Sequence, residues 1–343
     1  MRVLITGEHN YLRGRDNNEY HMMRHIEDRG GSDIKLVMDC DLTKAVVDDF
    51  NPDIVVSFNC GGPKDRSFLS WVGDRPVCLM IDDGFHFDTV ACDIPPRCDA
   101  IILLVKWETL RQQYQSRFPE KIVTCLASRY VDVTKFHPRS VEKEYDIFFY
   151  GTDDVPTKVP LNNMDAEYFD DKWRSAHGEV PTTYNYYPLR KRLRDLFLKH
   201  KDDFKVNIFT PQGSWFPVPP IRGNSLSEAI AKSRLTICTR ARSDTLLKKY
   251  LEVAASGGAI LGNYPTDYKD MFDGKIVEVN EYMSDDEILD VVRKALDDPE
   301  GLQRKVDALC QDVHANHNYE EAYQDFINVI SDILERRGPA VPR

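Results

Sequence analysis

The densest set of reactive groups in the sequence lies between residues 243 and 261, where Asp244, Lys248, Lys249, Glu252 and the pair Gly257-Gly258 interrupt an apolar pattern. The pattern predicts a helix over residues 244–256, opened by an acid and stopped by the double glycine. On such a helix Asp244 and Glu252 share one broad face, because their spacing is close to two turns at 3.6 residues per turn. A carboxylate beside this helix can accept hydrogen bonds from a ribose diol, and the N–H groups of its first turn suit a diphosphate. The same residues also describe a surface helix with a dipole-compensating acid and a glycine stop.

Other candidates are scattered along the chain. Asp82, Asp83 and His86 follow an apolar run that reads as a strand. A carboxylate or imidazole there can take a proton from an attacking hydroxyl, although Asp82-Asp83-Gly84 also reads as a plain turn. Arg13, Gly14 and Arg15 lie in a polar loop after the first strand, and the loop is not a G-x-G-x-x-G. Asp39-Cys40-Asp41 forms a D-x-D, a triplet that arises by chance in an acidic chain; here an acid is expected to cap the next helix, and no metal site is predicted. The basic run at 190–194 reads as the solvated face of an amphipathic helix that buries Leu189, Leu193, Leu196 and Phe197, with phosphate contact as the other reading. Neither a P-loop nor a G-x-S-x-G elbow occurs, which argues against a P-loop NTPase and a serine hydrolase.

These residues need a frame. Short runs of Val, Ile and Leu at 3–6, 34–38, 54–58, 77–81, 100–105 and 122–126 read as strands buried on both faces, separated by helical patterns at 18–29 and 43–50. A second series follows, with strands predicted at 145–150, 206–209, 235–239, 259–262 and 276–279. Its helices are predicted at 187–200, 225–233, 285–296 and 301–314, with a closing helix at 319–336. Alternating strands and helices predict an α/β chain with two doubly wound parallel sheets. The domains are read as residues 1–137, 138–318 and a closing segment 319–343. Residues 152–186, punctuated by Pro156, Pro160 and Pro181, show no sustained period, and loops of that length are usually functional or disordered.

Composition narrows the function classes. Hydrophobic residues at 42% and charged residues at 29% exclude a disordered or fibrous chain. The net charge of −11 disfavours a nucleic-acid coat, while a local basic groove is still allowed. No run approaches the ~18 apolar residues of a membrane span, and the first residues read as a strand instead of a signal peptide. Eight cysteines without a C-x-x-C pair read as structural thiols in a reducing, cytoplasmic compartment. No feature specifies an oligomeric state.

The segment Tyr250-Leu251-Glu252-Val253-Ala254-Ala255-Ser256-Gly257-Gly258 resembles the F/Y-x-E-x-x-A-x-G-G signature of group 1 glycosyltransferases of the GT-B fold, in the branch typified by spore-maturation-type proteins. Residues 144–151, ending in Tyr150-Gly151, resemble that branch's first strand of the second domain. Residues 314–321, from His314 through Tyr319, resemble its closing element. The resemblance implies two Rossmann-like domains facing a cleft, with the last helix crossing back to the N-terminal domain. A nucleoside diphosphate sugar would bind the C-terminal domain and no cofactor is implied. Glu252 would hold the donor ribose, Gly257 and Gly258 would admit donor to backbone, and Gly151 would lie on the donor side. Arg240, Arg242, Lys248 and Lys249 are the diphosphate candidates, and basic side chains would stabilise the departing charge in place of a metal. Asp244 stands where the family has the first Glu of E-x7-E, a spacing that leans toward retention. The N-terminal domain would supply the acceptor side through Arg13, Gly14 and Arg15, and a base among Asp82, Asp83 and His86. The acceptor would be a glycan or small-molecule hydroxyl. A phage-type transferase acting on modified DNA bases, a nucleotide-sugar epimerase and a non-catalytic sugar-nucleotide binder are the rival readings.

Overall fold

The computed structural model describes residues 1–7, 18–58, 68–81, 94, 96–104, 108–126, 129–151, 156–157, 184–185, 187–209, 223–240 and 246–337. The chain divides into two compact units, one comprising Met1–Asp132 with Asn318–Arg343 and the other Val133–His317.

The first unit is built on a six-stranded sheet: β1 (Val3–Gly7), β2 (Ile34–Met38), β3 (Ile54–Phe58), β4 (Val77–Ile81), β5 (Ala100–Leu103) and β6 (Ile122–Cys125), all parallel in the order β2-β1-β3-β4-β5-β6. Consecutive residues of β1 feed opposite cores. Val3 and Ile5 pack with Met22, Met23 and Ile26 of α1 (Asn18–Gly30), while Leu4 packs with Val47 of α2 (Lys44–Phe50) and Phe68 of α3 (Phe68–Trp71). Two covered faces explain why the strands are unbroken apolar runs. The helix α4 (Glu108–Arg117) precedes β6 and buries Leu110 and Tyr114.

The second unit begins its sheet with β7 (Tyr145–Tyr150), and a two-residue antiparallel pair, β8 (Pro156–Thr157) and β9 (Tyr184–Asn185), follows. Next come α5 (Pro188–Lys199), β10 (Val206–Phe209), α6 (Gly223–Ala231), β11 (Ser233–Ile237), α7 (Lys248–Ala255), β12 (Ala259–Gly262), α8 (Lys269–Phe272), β13 (Val277–Glu278), α9 (Asp285–Asp297) and α10 (Pro299–Asn316). The five longer strands are parallel in the order β10-β7-β11-β12-β13. Strand β11 begins two residues before the expected position because Ser233, paired with Tyr145, is buried in the sheet and donates its hydroxyl to the Ala229 carbonyl; α6 likewise starts two residues early, at Gly223. Ser284 and Glu287 form a reciprocal capping box on α9, and Asp298 caps α10 through the Gly301 N–H at 2.8 Å.

The chain then returns to the first unit. The Asn318 side-chain oxygen accepts the N–H groups of Glu320 and Glu321 and so caps α11 (Tyr319–Arg337). Tyr319, Ala322, Phe326, Ile330 and Ile333 fall on one helical stripe and are buried in the core that contains α1. Polar contacts fix the helix at both ends: Arg29 meets Glu320 at 2.6 Å, Tyr130 donates to Asp325, and Arg337 reaches Asp99 at 3.3 Å. Phe326→Ala should therefore destabilise the first unit by about 3–5 kcal/mol, the range for emptying a buried aromatic site. Equilibrium urea denaturation checks this, and an unchanged midpoint would contradict the placement of α11.

Candidate functional site

The sheet order of the second unit reverses between β7 and β11, since the chain runs outward from β7 to β10 and then returns to the other side of β7. Open α/β sheets bind ligands beyond the carboxyl ends of the strands at such a reversal. There the end of β7 brings Tyr150 and Gly151, the end of β11 brings Thr239 and Arg240, and α7 brings Lys248, Lys249 and Glu252.

Lys249 is 8% exposed and lies between these strand ends. Its ammonium donates to the carbonyl of Tyr150 and to that of Ile237 at 3.3 Å, and it sits 4.2 Å from the Tyr150 ring and 4.7 Å from the Phe149 ring. Burial, reinforced by the charge of Arg190, lowers its pKa to about 7 against the opposing pull of Cys238 and Glu252. Lys248, half-buried, is lowered to about 8 by the same loss of water, with Glu252 opposing. Glu252 accepts a hydrogen bond from the Tyr150 hydroxyl at 2.8 Å. Burial and the neighbouring Glu252 charge push the Tyr150 phenol well above its ordinary value, so it stays a donor across the neutral range.

A second polar group adjoins the first. The Arg240 N–H donates to the Asn263 side chain at 3.0 Å, Asn263 donates to Glu281 at 2.9 Å, and the Arg240 guanidinium lies 3.9 Å from the same Glu281 oxygen. The Tyr250 hydroxyl closes the set on the Asn263 carbonyl at 2.6 Å. Asn263 and Glu281 escaped the sequence reading, which named Tyr150 only as the end of a strand and Arg190 only within the basic run. Asn263 and Glu281 follow different strands and meet only because β12 and β13 pair in register, so no spacing announces them. The burial of Arg190 could have been read, since it stands three residues before the buried Leu193 on the same helix face.

The basic run at 190–194 differs from the expected solvated face. Arg190 is 4% exposed, stacks 3.7 Å from the Tyr187 ring and donates to the Thr239 carbonyl at 3.1 Å. Arg192 pairs with Asp285 at 2.7 Å, and Lys191 and Arg194 both pair with Asp195.

Helix α7 also differs from expectation. It begins at Lys248, with Leu247 extended at φ −89° and ψ 146° and Leu246 buried beside it. The helix that carries Glu252 therefore starts at Lys248 instead of residue 244. Asp244 and Arg242 lie outside the described residues, as do Arg13, Gly14, Arg15, Asp82, Asp83 and His86.

The glycines have structural demands of their own. Gly257 has φ +69°, and the Gly257 and Gly258 N–H groups donate to the Ala254 and Val253 carbonyls at 3.0 and 2.9 Å, a Schellman stop for α7. A Cβ on Gly258 would collide with Ile230 and lie 2.9 Å from Val253 Cγ1. His314, from the closing motif, holds the same helix end through the Ala255 carbonyl at 2.9 Å. Gly151 has φ +96°, and a Cβ there would stand 3.8 Å from the Lys249 ammonium.

Asp39–Asp41 forms a short 3-10 turn in which Asp39 accepts the Cys40 N–H. Thr43, not an acid, caps α2 by accepting the Val46 N–H at 3.3 Å, which corrects the expected cap. Among the described residues no group of three or more His, Cys, Asp or Glu side chains is placed to hold a metal ion, and no helix is long and apolar enough to cross a membrane.

Residues 190–328, less than half of the chain, match the family described as "Glycosyl transferase-like". Among solved structures, sucrose-phosphate synthase from Thermosynechococcus elongatus superposes with a TM-score of 0.56 at 9% identity, covering 97% of this chain and 99% of that one. Anabaena HepE in complex with UDP and glucose gives 0.56 at 7% identity over 97% and 100% of the two chains. A glycosyltransferase from Rickettsia africae gives 0.53 at 12% identity over 97% and 98%. At such identities the likeness is one of fold: two Rossmann-like parallel-sheet domains, as in GT-B glycosyltransferase structures. No curated protein sequence matches the chain.

The lowered Lys249 value gives a signed test. The unfolded chain keeps this proton up to the ordinary 10.5, the folded chain only to about 7. Below about 7 both states are charged and the fold bears the full cost of burial; from there to 10.5 that cost declines as pH rises. Lys249→Met removes the titration. The stability of the wild type relative to this variant should therefore rise with pH across that window in urea denaturation, and a flat difference would contradict the assignment.

Proposed function

We propose that this chain is a glycosyltransferase that moves a sugar from a nucleoside diphosphate sugar to a glycan or small-molecule hydroxyl without a metal ion. The observation that carries the reading is the position of Glu252. The glutamate of the Tyr250–Gly258 motif stands at the carboxyl edge of the second sheet, at its topological reversal, with Lys248 one turn before it on α7 and Arg240 after β11. The three motif blocks support the spore-maturation-type branch, and the similarity of residues 190–328 covers most of them.

In this reading Glu252 accepts the ribose hydroxyls, and Arg240 and Lys248 face the diphosphate. Positive groups that are already oriented stabilise the charge developing on the leaving diphosphate without reorganising water. Arg240 enters this role with its backbone tied to Asn263 and its guanidinium near Glu281. Asp82, Asp83 and His86 are assigned to the acceptor side as sources of a base, and Arg13, Gly14 and Arg15 are assigned to the same side. Retention is the outcome that the resemblance of Asp244 and Glu252 to the family's E-x7-E pair supports. The internal pairing of Arg192, Arg194 and Lys191 gives no support to a DNA acceptor. Cys78, Cys98 and Cys238, buried as thiols, suit the reducing cytoplasm.

HepE holds UDP and glucose, which makes UDP-glucose the first member of a donor panel that also includes GDP-, ADP- and dTDP-sugars. At least one should raise the melting temperature and release its nucleotide when acceptor is supplied, with the rate unchanged by EDTA. If no nucleotide sugar stabilises the protein, the reading is wrong. Stabilisation without turnover on any acceptor would favour the non-catalytic binder, and loss of turnover in EDTA that Mn²⁺ restores would overturn metal independence.

A further inference from the structure

We infer that Tyr150 is a positioning residue for Glu252, fixing the carboxylate in the rotation that meets a ribose diol; the inference rests on the ribose assignment above. Tyr150 and Glu252 are far apart in sequence and meet through a 2.8 Å hydrogen bond in which the phenol donates to Oε2. Two independent constraints hold the donor still. The Tyr150 carbonyl accepts from the Lys249 ammonium, and the ring sits 4.2 Å from that same ammonium and stacks on Phe148 with centroids 5.6 Å apart.

The geometry has a specific consequence. Lys249 and Glu252 are one turn apart on α7, so one helix turn grips Tyr150 by its main chain and by its side chain. The strand end and the helix are thus locked at the place where the carboxylate must stand. A glutamate left to itself samples rotations about its last, broad torsion. A donated hydrogen bond on one oxygen selects among them, and bonds to a charged acceptor are among the stronger ones in proteins. The role assigned to Tyr150 is carried through Glu252, whose carboxylate its hydroxyl holds.

Tyr150→Phe removes only the hydroxyl and leaves the ring, the stack and the main-chain contact to Lys249. Binding of UDP, GDP and ADP, and of their 2′-deoxy counterparts, would be measured by calorimetry for the wild type, Tyr150→Phe and Glu252→Ala. The wild type should prefer a ribonucleotide over its 2′-deoxy form. Tyr150→Phe should lose about tenfold in ribonucleotide affinity, with a smaller loss for the 2′-deoxynucleotide, which keeps only the 3′-hydroxyl, and a melting temperature nearly unchanged. If Tyr150→Phe keeps the ribose preference while Glu252→Ala loses it, the positioning role fails and the ribose assignment survives. Equal losses for both nucleotide forms in Tyr150→Phe would mark the tyrosine as structural only and also overturn the inference. A ribose preference that persists in Glu252→Ala, or no binding of any of these nucleotides to the wild type, would overturn the ribose assignment and the inference with it.

Discussion

A parallel sheet ends in carbonyls that have no further strand residue to bond, and these must find donors where the sheet meets its loops. In the second unit the buried ammonium of Lys249 supplies them, bonding Tyr150 on β7 and Ile237 on β11 at the point where the strand order reverses. Much of the candidate site follows from that one interaction. It fixes the register of α7 against two strands and brings Glu252 to the Tyr150 hydroxyl. It also leaves Gly151 close to the charge. The cost is the desolvation that pulls the lysine to about 7, and carbonyl dipoles and ring faces offset part of it.

The same device recurs away from the site. Lys143 donates to the carbonyls of Ala231 and Ser233 at 2.8 and 2.9 Å, joining the end of α6 to the start of β11. Lys121 donates to the carbonyls of Pro96 and Cys98 at 3.1 and 2.8 Å near the start of β6. A lysine carries three donors on a flexible stem, so it can gather carbonyls from segments whose backbones cannot pair directly. A lysine that bridges carbonyls in this fold is thus first a fastener, and a basic residue in a signature segment is not by that fact a ligand contact.

The strands of the first sheet were legible because it is covered on two faces, which writes its strands as apolar runs such as Val3-Leu4-Ile5 or Ile54-Val55-Val56. Glu252 was legible because it belongs to a contiguous motif. The start of α7 was not: a helical period runs through 244–256, yet Leu247 is extended beside the buried Leu246 and the helix begins only at Lys248. The Asn263–Glu281–Arg240 network was invisible for another reason, since its members are joined by strand pairing and not by sequence interval. The double glycine was recognised as a stop. Its tight fit against Ile230 and Val253 needed the packed neighbours to be seen.

The return of the chain to the first unit has a temporal side. A ribosome completes Val133–His317 before it has made Tyr319, Phe326 or Ile330, which fill the first unit's core. During synthesis the second unit can therefore reach its final form while the first still shows an apolar face along α1. The part of the protein made first is the last that can finish folding, and until α11 emerges the nascent chain presents a surface that chaperones are suited to cover.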